Sequence, residues 1–189
     1  MLSYSDLKVG AVFQMDGDPY QVLEYNFLRM QQRKPVVQTK IKNLRTGKTS
    51  ERNFHQSESF QEAEVKKVPA TYLYHHREDW WFYQKGDPKA RFSLKEDMLK
   101  DAAHYLKPNT EVVTLSFNDN IIGVEIPVKI DLKVKEAAPG FKGNTAQGGT
   151  KEVIVETGHK LQVPLFINEG DVIRINTETG QYTERVSKN

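Results

Sequence analysis

Cysteine is absent from the 189 residues, which excludes a disulfide framework, a thiolate metal cluster and a thiol nucleophile, and suits a reducing compartment. No apolar run approaches the ~20 residues that a membrane-spanning helix requires. The start, Met1-Leu2-Ser3-Tyr4-Ser5-Asp6, has neither the basic region nor the apolar stretch of a signal peptide, so a cytoplasmic protein without a membrane partner is expected. No nucleophile elbow, P-loop or dinucleotide fingerprint occurs, and nothing in the chain supports independent catalysis or a bound cofactor. Net charge is nearly absent as well, at +2. What remains is 38% hydrophobic and 28% charged residues, a composition that fits two or three small domains better than one large one.

The small total hides an uneven distribution. From Arg29 to Arg52 the chain carries eight basic residues (Arg29, Arg33, Lys34, Lys40, Lys42, Arg45, Lys48 and Arg52) and one acid, Glu51, a local +7 that leaves −5 for the remainder. A compact positive element on a mildly acidic body is what a protein facing a polyanion presents. The alternative is a solvated hairpin whose lysines discourage edge-to-edge aggregation.

Short runs rich in Val, Ile, Tyr and Phe recur along the chain, among them Tyr20 to Phe27, Val36 to Leu44, Val112 to Phe117, Ile121 to Ile126, Val153 to Thr157 and Val172 to Thr177. Turn signals separate them at Asp16-Gly17-Asp18-Pro19, Thr46-Gly47, Asn118-Asp119-Asn120, Thr157-Gly158 and Thr179-Gly180. The pattern is that of an all-β protein of small barrels. One helix is expected: Ser93-Leu94-Lys95-Glu96 reads as a capping box, and Met98, Leu99, Ala102, Ala103 and Leu106 share one helical face before Pro108. The polar stretch Gln56 to Glu64 and Pro127 divide the chain into 1-64, 65-127 and 128-189, with net charges of +1, 0 and +1. Since no piece is basic overall, a polyanion contact must come from local geometry.

The segment Phe27-Leu28-Arg29-Met30-Gln31-Gln32-Arg33-Lys34-Pro35-Val36 lies between two strand patterns and reads as a hairpin with a polar, basic tip. In its second strand Gln38, Lys40 and Lys42 alternate with Val37, Thr39 and Ile41, which puts the lysines on one face. Such an arm suits contacts to phosphates, which position a protein without reading sequence and weaken with salt.

The chain resembles the bacterial translation elongation factor P family and, more distantly, the hypusine-bearing initiation factor of eukaryotes and archaea. The matching residues are Gly17-Asp18-Pro19-Tyr20, Thr39-Lys40-Ile41-Lys42-Asn43-Leu44-Arg45-Thr46-Gly47, Tyr72-Leu73-Tyr74, Pro139-Gly140-Phe141-Lys142-Gly143-Asn144-Thr145, Thr157-Gly158, Val163-Pro164-Leu165-Phe166-Ile167, Gly170 and Gly180-Gln181-Tyr182. In order and spacing they run from end to end.

The resemblance implies an SH3-like domain of the KOW type over 1-64 and two OB folds over 65-127 and 128-189, in an L-shaped arrangement like tRNA in outline. It implies a monomer that binds the 70S ribosome and its rRNA beside the P-site peptidyl-tRNA and promotes peptide bond formation at consecutive prolines. The hairpin tip, Arg29, Met30, Gln31, Gln32, Arg33 and Lys34, is then expected at the tRNA acceptor end, and Lys40, Lys42 and Arg45 at the RNA backbone. Most members carry a lysine or arginine at the centre of a Gly-containing tip, and that residue receives a long polar modification. Ungapped spacing puts Gln32 there, and the tip has no glycine. Gln32 is therefore expected to act unmodified through its amide, with Arg33 or Lys34 modified in a shifted loop as the rival reading.

The Gly-rich run Pro139 to Gly149 is an ordinary turn on composition alone. In the family the corresponding loop faces the small subunit near the E-site codon, which makes Gly143, Asn144 and Thr145 contact residues. Adjacent His75 and His76 point to opposite faces of a strand, and His55, His104 and His159 are scattered, so no metal site is expected. Trp80-Trp81-Phe82-Tyr83 could be a base-stacking platform, but alternation favours one pair in the core. The competing function is a general RNA- or single-strand-binding β-barrel protein acting away from the peptidyl-transferase centre.

Overall fold

The computed structural model describes residues 1–29, 35–138 and 149–189, and its regular elements are almost all strands. The first sheet contains β1 (Leu2–Ser3), β2 (Val12–Met15), β3 (Asp18–Leu28), β4 (Val36–Asn43), β5 (Thr49–His55) and β6 (Ser59–Glu62). Its order is β1-β6-β2-β3-β4-β5. The second has β7 (Val65–His76), β8 (Asp79–Gln84), β9 (Asp87–Lys95), β10 (Glu111–Phe117) and β11 (Asn120–Glu125), ordered β11-β10-β7-β8-β9. The third has β12 (Lys129–Ala137), β13 (Thr150–Val155), β14 (Lys160–Pro164), β15 (Val172–Asn176) and β16 (Gln181–Ser187), ordered β14-β13-β12-β15-β16. The pairings whose register is resolved are antiparallel, which for consecutive strands such as β7–β8 and β8–β9 follows from their short hairpin connections.

The chain divides into two compact units, one of residues 1–68 with 114–123 and the other of 69–113 with 124–189. In the first, β2 and β3 are joined through Asp16 and Gly17, whose φ angles of +54° and +85° provide the twist a two-residue hairpin needs. Every second side chain of β4 is buried, namely Val37, Thr39, Ile41 and Asn43. Phe13 packs edge-on to Phe54 and Phe60, with ring centroids 5.7 and 5.1 Å apart, in a core that includes Leu7, Val22 and Ile41. A smaller cluster joins Leu44 and Ala63 to Leu115, Phe117 and Ile122.

In the second unit Ile130, Leu132, Val134, Val153, Val155, Leu161, Val163, Ile173 and Ile175 alternate with exposed or half-exposed neighbours and form one core. Tyr105, from the segment before β10, is buried in the same core. Gly180, at φ +68°, leaves room for its hydroxyl: a Cβ there would stand 3.3 Å from Tyr105 Oη.

The helix departs from the expected one. Ser93 and Leu94 belong to β9, paired with Trp81 and Trp80 of β8, so Ser93 is not a helix cap and the capping box does not form. The α-helix, α1, is the single turn Glu96–Leu99, capped by Lys95 without a side-chain bond. Lys100, at φ +53°, ends it, and a 3₁₀ segment continues from Lys100 to Tyr105. The apolar spacing still serves burial, since Leu99, Ala102, Ala103 and Leu106 are all buried.

Candidate nucleic-acid interface

The β3–β4 hairpin pairs from Tyr20 opposite Asn43 to Leu28 opposite Val36. Arg29 follows the last pair and is exposed. Met30, Gln31, Gln32, Arg33 and Lys34 lie outside the described residues, as do Gly143, Asn144 and Thr145.

Lys40 and Lys42 share the outer face of β4 with Gln38, as alternation requires. Their surroundings differ. Lys40 Nζ donates to Glu24 Oε1 at 3.1 Å and stands opposite Glu51 of β5 in register, so its charge is partly balanced within the sheet. Lys42 lies between Gln21 and Thr49 and has no ion pair among the described residues. One step toward the tip, Asn26, Gln38 and Asn53 form a cross-strand row of amides. They line a cleft of about 540 Å³ with Glu24, Lys40 and Glu51. The cleft therefore offers amide donors and acceptors around a lysine flanked by two carboxylates, with Arg52 also lining it.

Arg45 sits in the turn after β4, positioned by residues that charge counting passes over. Its Nε donates to Asp18 Oδ1 at 2.6 Å, and Asn43 Nδ2 donates to Asp18 Oδ2 at 3.0 Å. Buried Asn43 also accepts, through Oδ1, from the backbone amides of Arg45 and Thr46 at 2.9 and 2.8 Å. The hydrogen bond from Asn43, and next that from Arg45, hold the Asp18 carboxyl below its ordinary range against the opposing effect of burial. The signal was present in the sequence as an Asn just ahead of Arg-Thr-Gly, a turn-forming arrangement. Its partner Asp18, 25 residues earlier, is found only through the strand register.

Trp80 and Phe82 are buried, whereas Trp81 and Tyr83 are half-buried on the opposite face. Alternation thus separates the aromatic run as packing requires. Trp81 stacks on exposed Tyr74 with centroids 6.4 Å apart. The histidines are less scattered than their spacing suggests: His104 and His159, 55 positions apart in the chain, stack at 4.8 Å. Among the described residues no group of three or more His, Asp or Glu side chains is arranged to hold a metal ion. No helix there is long and apolar enough to cross a membrane.

Three family models match successive parts of the chain: the elongation factor P KOW-like domain over residues 3–60, the elongation factor P OB domain over 65–124, and the elongation factor P C-terminal domain over 130–185. Elongation factor P of Moorella thermoacetica is 42% identical over 185 residues, covering 98% of this chain and all of that protein. The corresponding proteins of Acetivibrio thermocellus and Carboxydothermus hydrogenoformans are 39% and 38% identical over 186 residues, again covering 98% of this chain and all of theirs. Among solved structures, eukaryotic translation initiation factor 5A from Methanococcus jannaschii aligns at a TM-score of 0.47 and 13% identity, over 67% of this chain and 90% of that one.

Proposed function

The chain belongs to the elongation factor P family, a family of translation factors and not of enzymes, and from that premise we propose that it binds the ribosome beside the P-site peptidyl-tRNA and promotes bond formation at consecutive prolines. The observation that carries this reading is end-to-end similarity: 98% of this chain against the whole length of its relatives, which a generic RNA-binding barrel has no reason to keep.

The physical problem at a proline pair is geometric. The pyrrolidine ring fixes φ and makes the attacking nitrogen secondary and hindered, so the reacting groups spend little time in a productive pose. A factor that holds the tRNA CCA end in place removes part of the entropic barrier without supplying an acid, a base or a nucleophile. The ribosome is the catalyst, and this protein restricts its substrate.

In this proposal the modules are 1-64, 65-127 and 128-189, and the β3–β4 hairpin carries Arg29, Met30, Gln31, Gln32, Arg33 and Lys34 to the acceptor end. Gln32 offers its amide unmodified, while Arg29, Arg33 and Lys34 contact phosphates. Lys42 makes the salt-sensitive backbone contact, with Arg45 held in place by Asp18 and Lys40 balanced by Glu24. Gly143, Asn144 and Thr145 face the small subunit. The partners are the 70S ribosome, its rRNA and peptidyl-tRNA, met by a cytoplasmic monomer. Reconstituted translation of a message encoding three successive prolines tests the reading: the protein should accelerate product formation, and an unchanged rate overturns it.

A further inference from the structure

We propose that a cleft in the second unit binds one unpaired nucleotide of single-stranded RNA, its base stacked on histidine rings and its phosphate held by Arg77 and Lys160. This site is distinct from the hairpin. It measures about 530 Å³, within the range of ligand-binding clefts. It is lined by His75, Trp80, His104, His159 and Lys160, with Arg77 at the β7–β8 turn.

The rings form two preorganised platforms. His75 lies over Trp80 with centroids 4.8 Å apart and planes at 22°, and His104 lies over His159 at 4.8 Å and 24°. In each pair the inner ring is fixed and the outer one is exposed: Trp80 is buried and His159 half-buried, whereas His75 and His104 face solvent. Tyr72 Oη is 3.3 Å from His75 Nδ1. Tyr105 meets His159 edge-on at 5.3 Å, and Thr157 Oγ1 donates to the His104 carbonyl at 2.7 Å. Burial, and next the neighbouring His104, lower the His159 pKa below its ordinary value, so that ring is uncharged at neutral pH and adds no charge to the stack. Flat faces fixed in this way accept any base, because every base has a π-face.

The charged groups supply the rest. Arg77 occupies the two-residue turn between His76 and Asp79, with the positive φ (+57°) that such hairpin turns use, and the turn sets it at the cleft. It has no ion pair among the described residues. Lys160 meets Glu152 at 3.3 Å, but both side chains are more than half exposed, so phosphate can compete for the lysine. Glu96 also lines the cleft. A carboxylate there disfavours a bare anion and accepts from the amino group of a base. Cytosine, with its exocyclic amine, fits this set better than uracil.

The probe is a fluorescent hexacytidylate RNA, titrated into the full chain without ribosomes while the histidine ring resonances are followed by NMR. His75 and His104 should shift saturably. Arg77→Ala and His104→Ala should each weaken binding at least ~5-fold, His104→Phe should restore it, and Lys89→Ala, which removes an exposed charge outside the cleft, should not change it. Hexauridylate should bind more weakly, and a blunt RNA duplex should leave the two rings unmoved. Unmoved rings with hexacytidylate, or equal affinity in Arg77→Ala and the parent, overturns the proposal. Saturation by cytidine monophosphate at equal affinity identifies a free-nucleotide site and overturns the RNA assignment. Loss of ribosome binding in Arg77→Ala with unchanged hexacytidylate binding assigns Arg77 to a contact other than single-stranded RNA and overturns it too. Only the setting rests on the family reading: failure here leaves acceleration at prolines intact, and loss of that activity leaves the titration interpretable.

Discussion

Arg45 and Asp18 are joined at 2.6 Å across 27 residues of chain, yet the bond that organises their turn belongs to the neighbouring asparagine. The Arg45 side chain is 47% exposed, and a surface pair of this kind contributes at most about 1 kcal/mol. Asn43 is buried and satisfies two backbone amides as well as the carboxylate. Its loss leaves two partly buried amides without a partner and the carboxylate with one fewer, at about 1–3 kcal/mol. Asn43→Ala should therefore destabilise the chain more than Arg45→Ala does in urea titrations. Equal losses would show that the ion pair, not the amide, holds the turn.

Lys40 and Lys42 are two positions apart on one strand face but should not be equivalent in RNA binding. Each phosphate contact releases about one counterion, so Lys42→Ala should reduce the salt slope of ribosome binding by about one. Lys40→Ala should reduce it less because Glu24 already balances that charge, and Glu24→Gln should tighten binding. Identical slopes for the two lysine variants would remove the distinction drawn from the Glu24 contact.

His159 makes stability depend on pH in a defined direction. Burial, then His104, lowers its pKa below the ordinary 6.5, so between the two values the unfolded chain binds the proton and the folded chain does not. Stability is complete above 6.5 and falls as pH drops below that value toward the folded pKa. Denaturation midpoints taken from pH 7.5 to 5 should decline, and His159→Gln should decline less. A flat profile in the parent chain would contradict the buried stack.

Gln32 is expected to carry no adduct. Intact-mass measurement of the natively expressed protein should return the mass of the unmodified sequence. An adduct on the peptide spanning Arg29 to Lys34 would shift the tip chemistry to Arg33 or Lys34.

Much of this architecture could be read from local pattern. Val37, Thr39 and Ile41 fall inside and Lys40 and Lys42 outside because a strand with one buried face has a period of two. Trp80 and Phe82 separate from Trp81 and Tyr83 for the same reason. Asp16-Gly17 and Asn118-Asp119 mark turns because both residues of each pair adopt positive φ, as few other residue pairs do readily. The Ser93 capping box misled because its four residues satisfy the motif locally while the β8–β9 ladder claims Ser93 and Leu94 for a strand. Pairing with Trp80 and Trp81 outweighs one helix cap.

The rest depends on contacts distant in sequence. Glu24 reaches Lys40 through a hairpin register that includes a bulge after Val22, and Asp18 reaches Asn43 across 25 residues. His104 meets His159 because a 3₁₀ segment feeds Tyr105 into the core of the third sheet. None of these has a local period to betray it. Charge counting placed Lys40, Lys42 and Arg45 together, and only the register separates the compensated lysine from the other.

The central claim is acceleration at proline pairs, and single-turnover peptide bond formation on defined ribosomes measures it directly. With peptidyl-prolyl-tRNA in the P site and prolyl-tRNA as acceptor, the protein should raise the rate at least ~10-fold, about 1.4 kcal/mol off the barrier. With alanyl substrates it should leave the rate nearly unchanged. Equal effects on both pairs, or none on proline, would contradict the account.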